Sequence, residues 1–276
     1  MILLAGVACT SKPAENAQEE AGTETSVDAA EATPAITGRE ITYKTDSTTM
    51  QGYLAYDESK EGKRPGILVV HEWWGHNDYA RRRAKMLAEL GYVALAVDMY
   101  GEGKTASHPD DAGKFAMSVM SNINEGKTRF VQAMKELKMH PAVDSMKIGA
   151  IGYCFGGSVV LSMANMGLDL DAVAAFHSGV ELPVMPGDSP LRAKVLVCNG
   201  AQDSFVPAES VEAYKAAMDN IEADYEYIAY EGAVHSFTSP DADSLGKQFN
   251  LPFAYNAEAD RQSWEEMKSL FSSVFE

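Results

Sequence analysis

The stretch that most constrains this chain is Gly152-Tyr153-Cys154-Phe155-Gly156-Gly157. It follows Lys147-Ile148-Gly149-Ala150-Ile151, an apolar run that reads as a buried strand, and it precedes Ser158 to Ala164, which reads as a buried helix. A strand, a glycine-flanked thiol and a helix together make the pattern of a nucleophile elbow, with Cys where Ser is usual. In so sharp a turn the residues two before and two after the nucleophile nearly touch, so Gly152 and Gly156 suit it by lacking a Cβ. Such a turn strains the backbone at the nucleophile, and the following helix N-terminus favours a thiolate there. Taken alone, the same residues equally describe a buried Cys in a glycine-rich turn.

The rest of the chain reads as strands alternating with helices. Residues 40–45 and 51–56 alternate in polarity and form an antiparallel pair around Asp46 to Thr49. The continuous apolar run at 65–71 reads as a central parallel strand, and 91–98, 147–151, 171–176, 194–199 and 223–230 read as the strands that follow. Helices are expected near 79–90, 124–139, 207–218 and 258–275, and Asp241 to Asn256 reads as extended. This is an α/β class chain with a mainly parallel sheet covered on both faces. Its 276 residues, 46% of them hydrophobic, suffice for one large domain.

Ligands of such sheets bind beyond the carboxyl ends of the strands. The residues there are His71, Glu72 and Trp73, then Cys154, His177, Asp203 and His235. Asp203 lies in Gly200-Ala201-Gln202-Asp203-Ser204-Phe205-Val206-Pro207, between a strand and a helix. His235 lies in Gly232-Ala233-Val234-His235-Ser236-Phe237, after the last strand. Singly, Asp203 also reads as a helix cap and His235 as a loop histidine. Jointly, Cys154, Asp203 and His235 stand in the chain order nucleophile, acid, base. A thiol needs a base within hydrogen-bond reach, and the imidazole needs a carboxylate on its other nitrogen.

These motifs, with His71-Glu72-Trp73-Trp74-Gly75, resemble the dienelactone hydrolase family of the α/β-hydrolase fold, and the resemblance runs from about Arg39 to the C-terminus. It implies a cysteine-dependent hydrolase of esters or lactones that works through a thioester and needs no cofactor. It also implies that Glu72 lies beside Cys154, pairs with it at rest and helps control thiolate formation. The oxyanion hole it implies uses the backbone N–H groups of Phe155 and Trp73. Members that bind dienelactones resemble one another in an Arg soon after the catalytic His. Here the run is His235-Ser236-Phe237-Thr238-Ser239-Pro240, without Arg. Asp241, Asp243, Phe249, Leu251, Phe253 and Tyr255 follow, with Trp73 and Trp74 placed across the mouth, and Trp74, Phe205, Phe253 and Tyr255 are candidates for substrate contact. Such a site suits a neutral acyl group better than a carboxylate. Lys247, or the Arg81–Arg83 cluster, is a candidate for a folded-back cation, although solvation on a helix face is the more ordinary role for the arginines. A binding lipoprotein that keeps the scaffold without turnover is the rival reading, and the intact triad argues against it.

Three exclusions complete the reading. A net charge of −17 argues against nucleic acid or an anionic membrane surface as partner. His71 and His76 are five apart across a strand end and Gly75, not four apart on a helix, so no zinc motif is read there and no metal site is expected. Cys9, Cys154 and Cys198 show no metal or disulfide spacing, and Cys198 reads as core.

Residues 1–9 resemble the end of a bacterial lipoprotein signal, in which small residues precede a lipidated Cys, here Cys9. The positive n-region is absent, the apolar stretch is short, and Gly6 stands where Leu is usual. Residues 10–38, acidic and poor in large apolar side chains, read as a disordered tether. Residues 39–276 form the hydrolase-like domain. The expected location is the bacterial cell envelope, with the membrane reached only through that lipid. The alternative is cytoplasmic, and a monomer is expected.

Overall fold

The structure, a computed structural model, describes residues 34–187 and 191–276 together with residues 8 and 10. Cys9 and nearly all of the acidic segment lie outside the described residues. Eight strands form one sheet: β1 (Ile36–Lys44), β2 (Thr49–Asp57), β3 (Arg64–Val70), β4 (Val93–Val97), β5 (Val143–Tyr153), β6 (Ala172–Phe176), β7 (Lys194–Gly200) and β8 (Tyr225–Tyr230). Their spatial order is β1-β2-β4-β3-β5-β6-β7-β8. β1 and β2 pair antiparallel, β2 meets β4 antiparallel, and every later pairing is parallel. This is the α/β-hydrolase fold. β1 begins at Ile36, three residues ahead of Arg39.

Parallel neighbours need long crossovers, and helices provide them. α1 (Asp78–Glu89) is capped by Asn77, whose side chain accepts from the Tyr79 N–H. α1 and α7 (Ala257–Phe275) bury Ala80, Ala84 and Leu87 with Met267, Phe271 and Phe275 on one face of the sheet. α3 (Ile123–Met139), α4 (Phe155–Asn165) and α5 (Ala208–Asn220) cover the other face with Phe130, Leu137, Val159, Met163, Tyr214 and Met218. β4 and β6 are buried at every position, as their unbroken apolar runs require.

Two elements differ from the sequence expectation. α2 (Pro109–Ser121) is a helix not foreseen, and α6 (Ala242–Phe249) occupies the stretch read as extended. α6 is short and ends at Asn250 in the left-handed conformation, φ 51°. A Cβ at Gly246 would sit 2.7 Å from the Phe253 carbonyl oxygen, so glycine is there to let the following chain fold back onto the helix.

Candidate active site

β5 ends at Tyr153 and α4 begins at Phe155, so Cys154 alone makes the turn, at φ 53° and ψ −118°. That conformation is costly for a residue with a Cβ and holds only because the flanks permit it. A Cβ on Gly152 would lie 2.1 Å from the Gly156 carbonyl oxygen, and one on Gly156 would lie 2.4 Å from that of Val70. Tyr153 anchors the turn below, fully buried, stacked on Phe176 and edge-on to Tyr79.

The loops after β7 and β8 bring the other two groups to the thiol. His235 Nε2 lies 3.2 Å from Cys154 Sγ, and His235 Nδ1 lies 2.8 Å from Asp203 Oδ2. Asp203 is buried, and its other oxygen accepts the Phe205 N–H at 2.9 Å. Burial works against an imidazolium at His235, but Cys154 and Asp203 outweigh it and raise its pKa to about 10. The sulfur and the carboxylate thus both favour the protonated ring. His177, after β6, lies edge-on to His235 with ring centroids 5.3 Å apart. Burial and the neighbouring imidazole push its pKa well down. His177 Nε2 and the Tyr79 hydroxyl both reach the Thr238 hydroxyl, so this neutral ring braces the loop carrying His235.

The loop after β3 supplies the opposite wall. His71 Nε2 accepts the Met99 N–H at 3.3 Å, so its proton is on Nδ1, which donates to the Glu72 carbonyl. A trans peptide sends its N–H opposite to its C=O, so this clamp fixes the direction of the Trp73 N–H. The Tyr100 hydroxyl donates to the Trp73 carbonyl at 2.9 Å and fixes the next peptide. The backbone N–H groups of Trp73 and Phe155 donate to no other described group. The latter is the first amide of α4, where no intrahelical acceptor exists.

Glu72 is buried, 3% exposed, but no hydrogen bond joins it to Cys154. Its carboxylate accepts from the Ser236 hydroxyl at 3.4 Å, and Cys154 Sγ is already engaged by His235. A hydrogen-bonded Glu72–Cys154 pair, as family resemblance implies for the resting site, is not formed among the described contacts. Desolvation raises the Glu72 pKa to about 7, against the lowering pull of His235, Ser236 and Arg83. Glu72 lines a second, polar cavity of about 300 Å³ with Trp74, Asn77, Ser239 and Asp241.

The cavity over Cys154, about 330 Å³, is lined by Trp73, Phe205, His235 and Phe253, by Phe155, Ser158 and Gly179, and by Gly113, Ala116, Met117 and Met120 of α2. Of the four substrate-contact candidates it receives Phe205 and Phe253. Phe253 is held there by a single β-bridge to His235. Trp74 is not in this cavity, because its ring packs against Trp73 and Phe249. Nor is Tyr255, whose N–H is taken by Asp243 and whose hydroxyl is taken by Asp260. Asp241 and Asp243 also lie elsewhere, so the acidic mouth expected from sequence is not formed.

Among the described residues, no Lys or Arg lines the cavity. Lys247 is exposed on α6 and Arg81 pairs with Glu40 at 2.8 Å. Arg83, expected on a solvated helix face, is buried instead: it pairs with Asp260 at 2.6 Å and donates to the Thr238 carbonyl at 2.8 Å. The α2 residues were missed from sequence although His108-Pro109-Asp110-Asp111 carries helix-start signals, with Pro at the first position and acids in the first turn. The apolar face that follows them borders an open cavity rather than the sheet, and Gly113 interrupts it.

Residues 50–275 match the family model described as the dienelactone hydrolase family. A solved dienelactone hydrolase-like promiscuous phosphotriesterase from metagenomic libraries is 35% identical, covers 88% of this chain and all of its own, and superposes with a TM-score of 0.81. The dienelactone hydrolase of Anabaena variabilis, 17% identical over 88% of this chain and all of its own, shares the fold with a TM-score of 0.60. A Yersinia pestis protein provisionally named carboxymethylenebutenolidase is 26% identical over 253 residues, which are 84% of this chain and 87% of that protein. The fold, the elbow and a match over most of the chain agree: the protein belongs to the dienelactone hydrolase family and is a hydrolase of ester or lactone type.

Proposed function

We propose that the protein hydrolyses neutral esters or lactones through a thioester on Cys154. The observation that carries this is the chain Cys154 Sγ, His235, Asp203, with separations of 3.2 and 2.8 Å, at the floor of an apolar cavity. The Cys154 sulfur attacks the carbonyl carbon, and the π electron pair moves onto oxygen. The oxyanion is stabilised by the Trp73 and Phe155 N–H groups, which have no other partner. Collapse expels the alcohol oxygen, which takes its proton from the His235 imidazolium. Water then gives a proton to His235 and attacks the thioester, and the thiolate leaves to restore its ion pair with the ring. Asp203 holds the ring orientation and its charge. Glu72, ionising near pH 7, adds negative charge behind His235 as pH rises.

Steady-state hydrolysis of p-nitrophenyl acetate by wild type, Cys154→Ala and Cys154→Ser tests this. Both variants are expected to keep the fold; the Ala variant loses activity and the Ser variant is badly impaired, since a site poised for thiolate deprotonates an alcohol poorly. Wild-type turnover by the Ala variant overturns the reading, and absence of any turnover by wild type favours the silent binding protein.

A second substrate class is favoured by the largely apolar cavity wall, which among the described residues includes no carboxylate, Lys or Arg, and by the 35% identical relative named as a phosphotriesterase. Neutral phosphotriesters present a polarised P=O to the same nucleophile and donors, and release of p-nitrophenol from a diethyl aryl phosphate, abolished with Cys154→Ala, is the expected result. For location, we propose a lipid on Cys9 in a bacterial envelope. Intact mass of the native protein tests it, and an unmodified Cys9 in a soluble fraction contradicts it.

A further inference from the structure

Gly113, Ala116, Met117 and Met120 fall at spacings of three, four and seven, one stripe of α2, and all four line the cavity over Cys154. Among the exposed large apolar side chains, Met117 at 65% and Phe205 at 47% both sit on this cavity. An apolar collar left open to water marks a surface that something apolar covers, and Met adapts readily to varied aliphatic shapes.

Gly113 is the informative position. Glycine is the poorest helix former after proline, so one inside α2 needs a reason. Backbone conformation is not that reason, because Gly113 is not among the positive-φ glycines. Close packing is not either: a Cβ at Gly113 meets nothing within 4 Å, whereas one at Gly126 comes within 3.1 Å of Val119. What its missing side chain leaves open is the cavity itself.

The cavity lining is of two kinds. His235 must give its proton to the departing oxygen, and Phe205 and Phe253 pack around His235 with ring centroids 4.8 and 5.3 Å from it. That part belongs to the leaving group. The α2 stripe, with Trp73, Phe155, Ser158 and Gly179, makes up the rest of the lining. Ser158 Oγ is already bonded to the Gly179 carbonyl at 2.8 Å, so its hydroxyl is not free for a carboxylate.

From this, and resting on the ester-hydrolase reading above, we infer that the α2 stripe is an acyl-chain subsite that selects neutral esters of aliphatic acids, and that Gly113 sets the acyl length accepted. Each methylene buried against it contributes about fourfold to kcat/KM.

The test is a series of p-nitrophenyl esters from acetyl to decanoyl, assayed with wild type, Gly113→Ala and Gly113→Phe. In wild type kcat/KM rises with each of the first several methylenes. Gly113→Phe lowers the octanoate-to-acetate ratio of kcat/KM by roughly tenfold or more, as expected for several methylenes displaced. Gly113→Ala, which favours the helix and secures the test if the Phe variant folds poorly, lowers the ratio of the longest chains to acetate by a smaller factor. A wild-type profile flat in acyl length, or an equal loss across all lengths in both variants, overturns the subsite. A parallel series of alkyl acetates with lengthening alcohols should be insensitive to Gly113→Phe, and sensitivity there assigns α2 to the leaving group and overturns the acyl assignment. Failure of wild type to hydrolyse the acetate refutes the underlying hydrolase reading instead, so the two failures are distinguishable.

Discussion

Replacing Glu72 by Gln should stabilise the protein at alkaline pH and hardly at all in acid. Glu72 is 3% exposed, and its pKa is raised from 4.5 to about 7, chiefly by desolvation. The folded protein thus holds this proton more tightly than the unfolded chain does. The stabilisation carried by the protonated form is complete below about pH 4.5 and is lost as pH rises through 7. A rise of about 2.5 units at roughly 1.4 kcal/mol each makes the ionised carboxylate cost about 3 kcal/mol above pH 8, and under about 1 kcal/mol at pH 5. Glutamine mimics the protonated form and has no such dependence. Urea unfolding of wild type and Glu72→Gln from pH 5 to 8.5 should show the variant's advantage growing by about 2–3 kcal/mol across that range. A difference independent of pH would mean that the carboxyl does not ionise within the range and would remove Glu72 from any account of pH-dependent activity.

A dienelactone and its methyl ester, compared by kcat/KM, should favour the methyl ester, because among the described residues no Lys or Arg lines the cavity to hold a carboxylate. A missing charge-assisted contact is worth roughly 1.5–3 kcal/mol, or about tenfold to a hundredfold in rate, and a preference for the free acid would reveal an unrecognised cation. Gly152→Ala should cripple folding, since its Cβ would lie 2.1 Å from the Gly156 carbonyl oxygen; a soluble, active variant with unchanged unfolding midpoint would contradict the tight elbow. Alkylation of Cys154 by iodoacetamide should change in rate and pH profile on Glu72→Gln, because Glu72 acts electrostatically on His235; an unchanged profile reduces Glu72 to a buried structural carboxyl.

The legible parts of the sequence were those where one physical requirement dominates. Central strands such as β4 and β6 are buried on both faces, so unbroken apolar runs marked them. The elbow was legible because only glycine fits positions 152 and 156. Asp203 and His235 followed from their places after β7 and β8, and the fold brings both within hydrogen-bond reach of the thiol's proton path. The cavity wall was harder to see. Met117 and Met120 obey helical spacing, but their face borders an opening, so their pattern looks like a weak surface helix. Trp74 and Tyr255 were misplaced because sequence locates a loop but not the direction of its side chains. The same limit applies to Glu72, whose carboxylate turns to Ser236. Arg83 was misread because its partner, Asp260, is 177 residues away.

The most direct test of the thioester account is rapid quenching during turnover of p-nitrophenyl butyrate, followed by peptide mass analysis. The account predicts a burst of one p-nitrophenol per active site, a butyryl adduct on the peptide carrying Cys154 that hydroxylamine removes, and loss of both in Cys154→Ala. An adduct on Ser158 instead, or a full burst in the Ala variant, would contradict it.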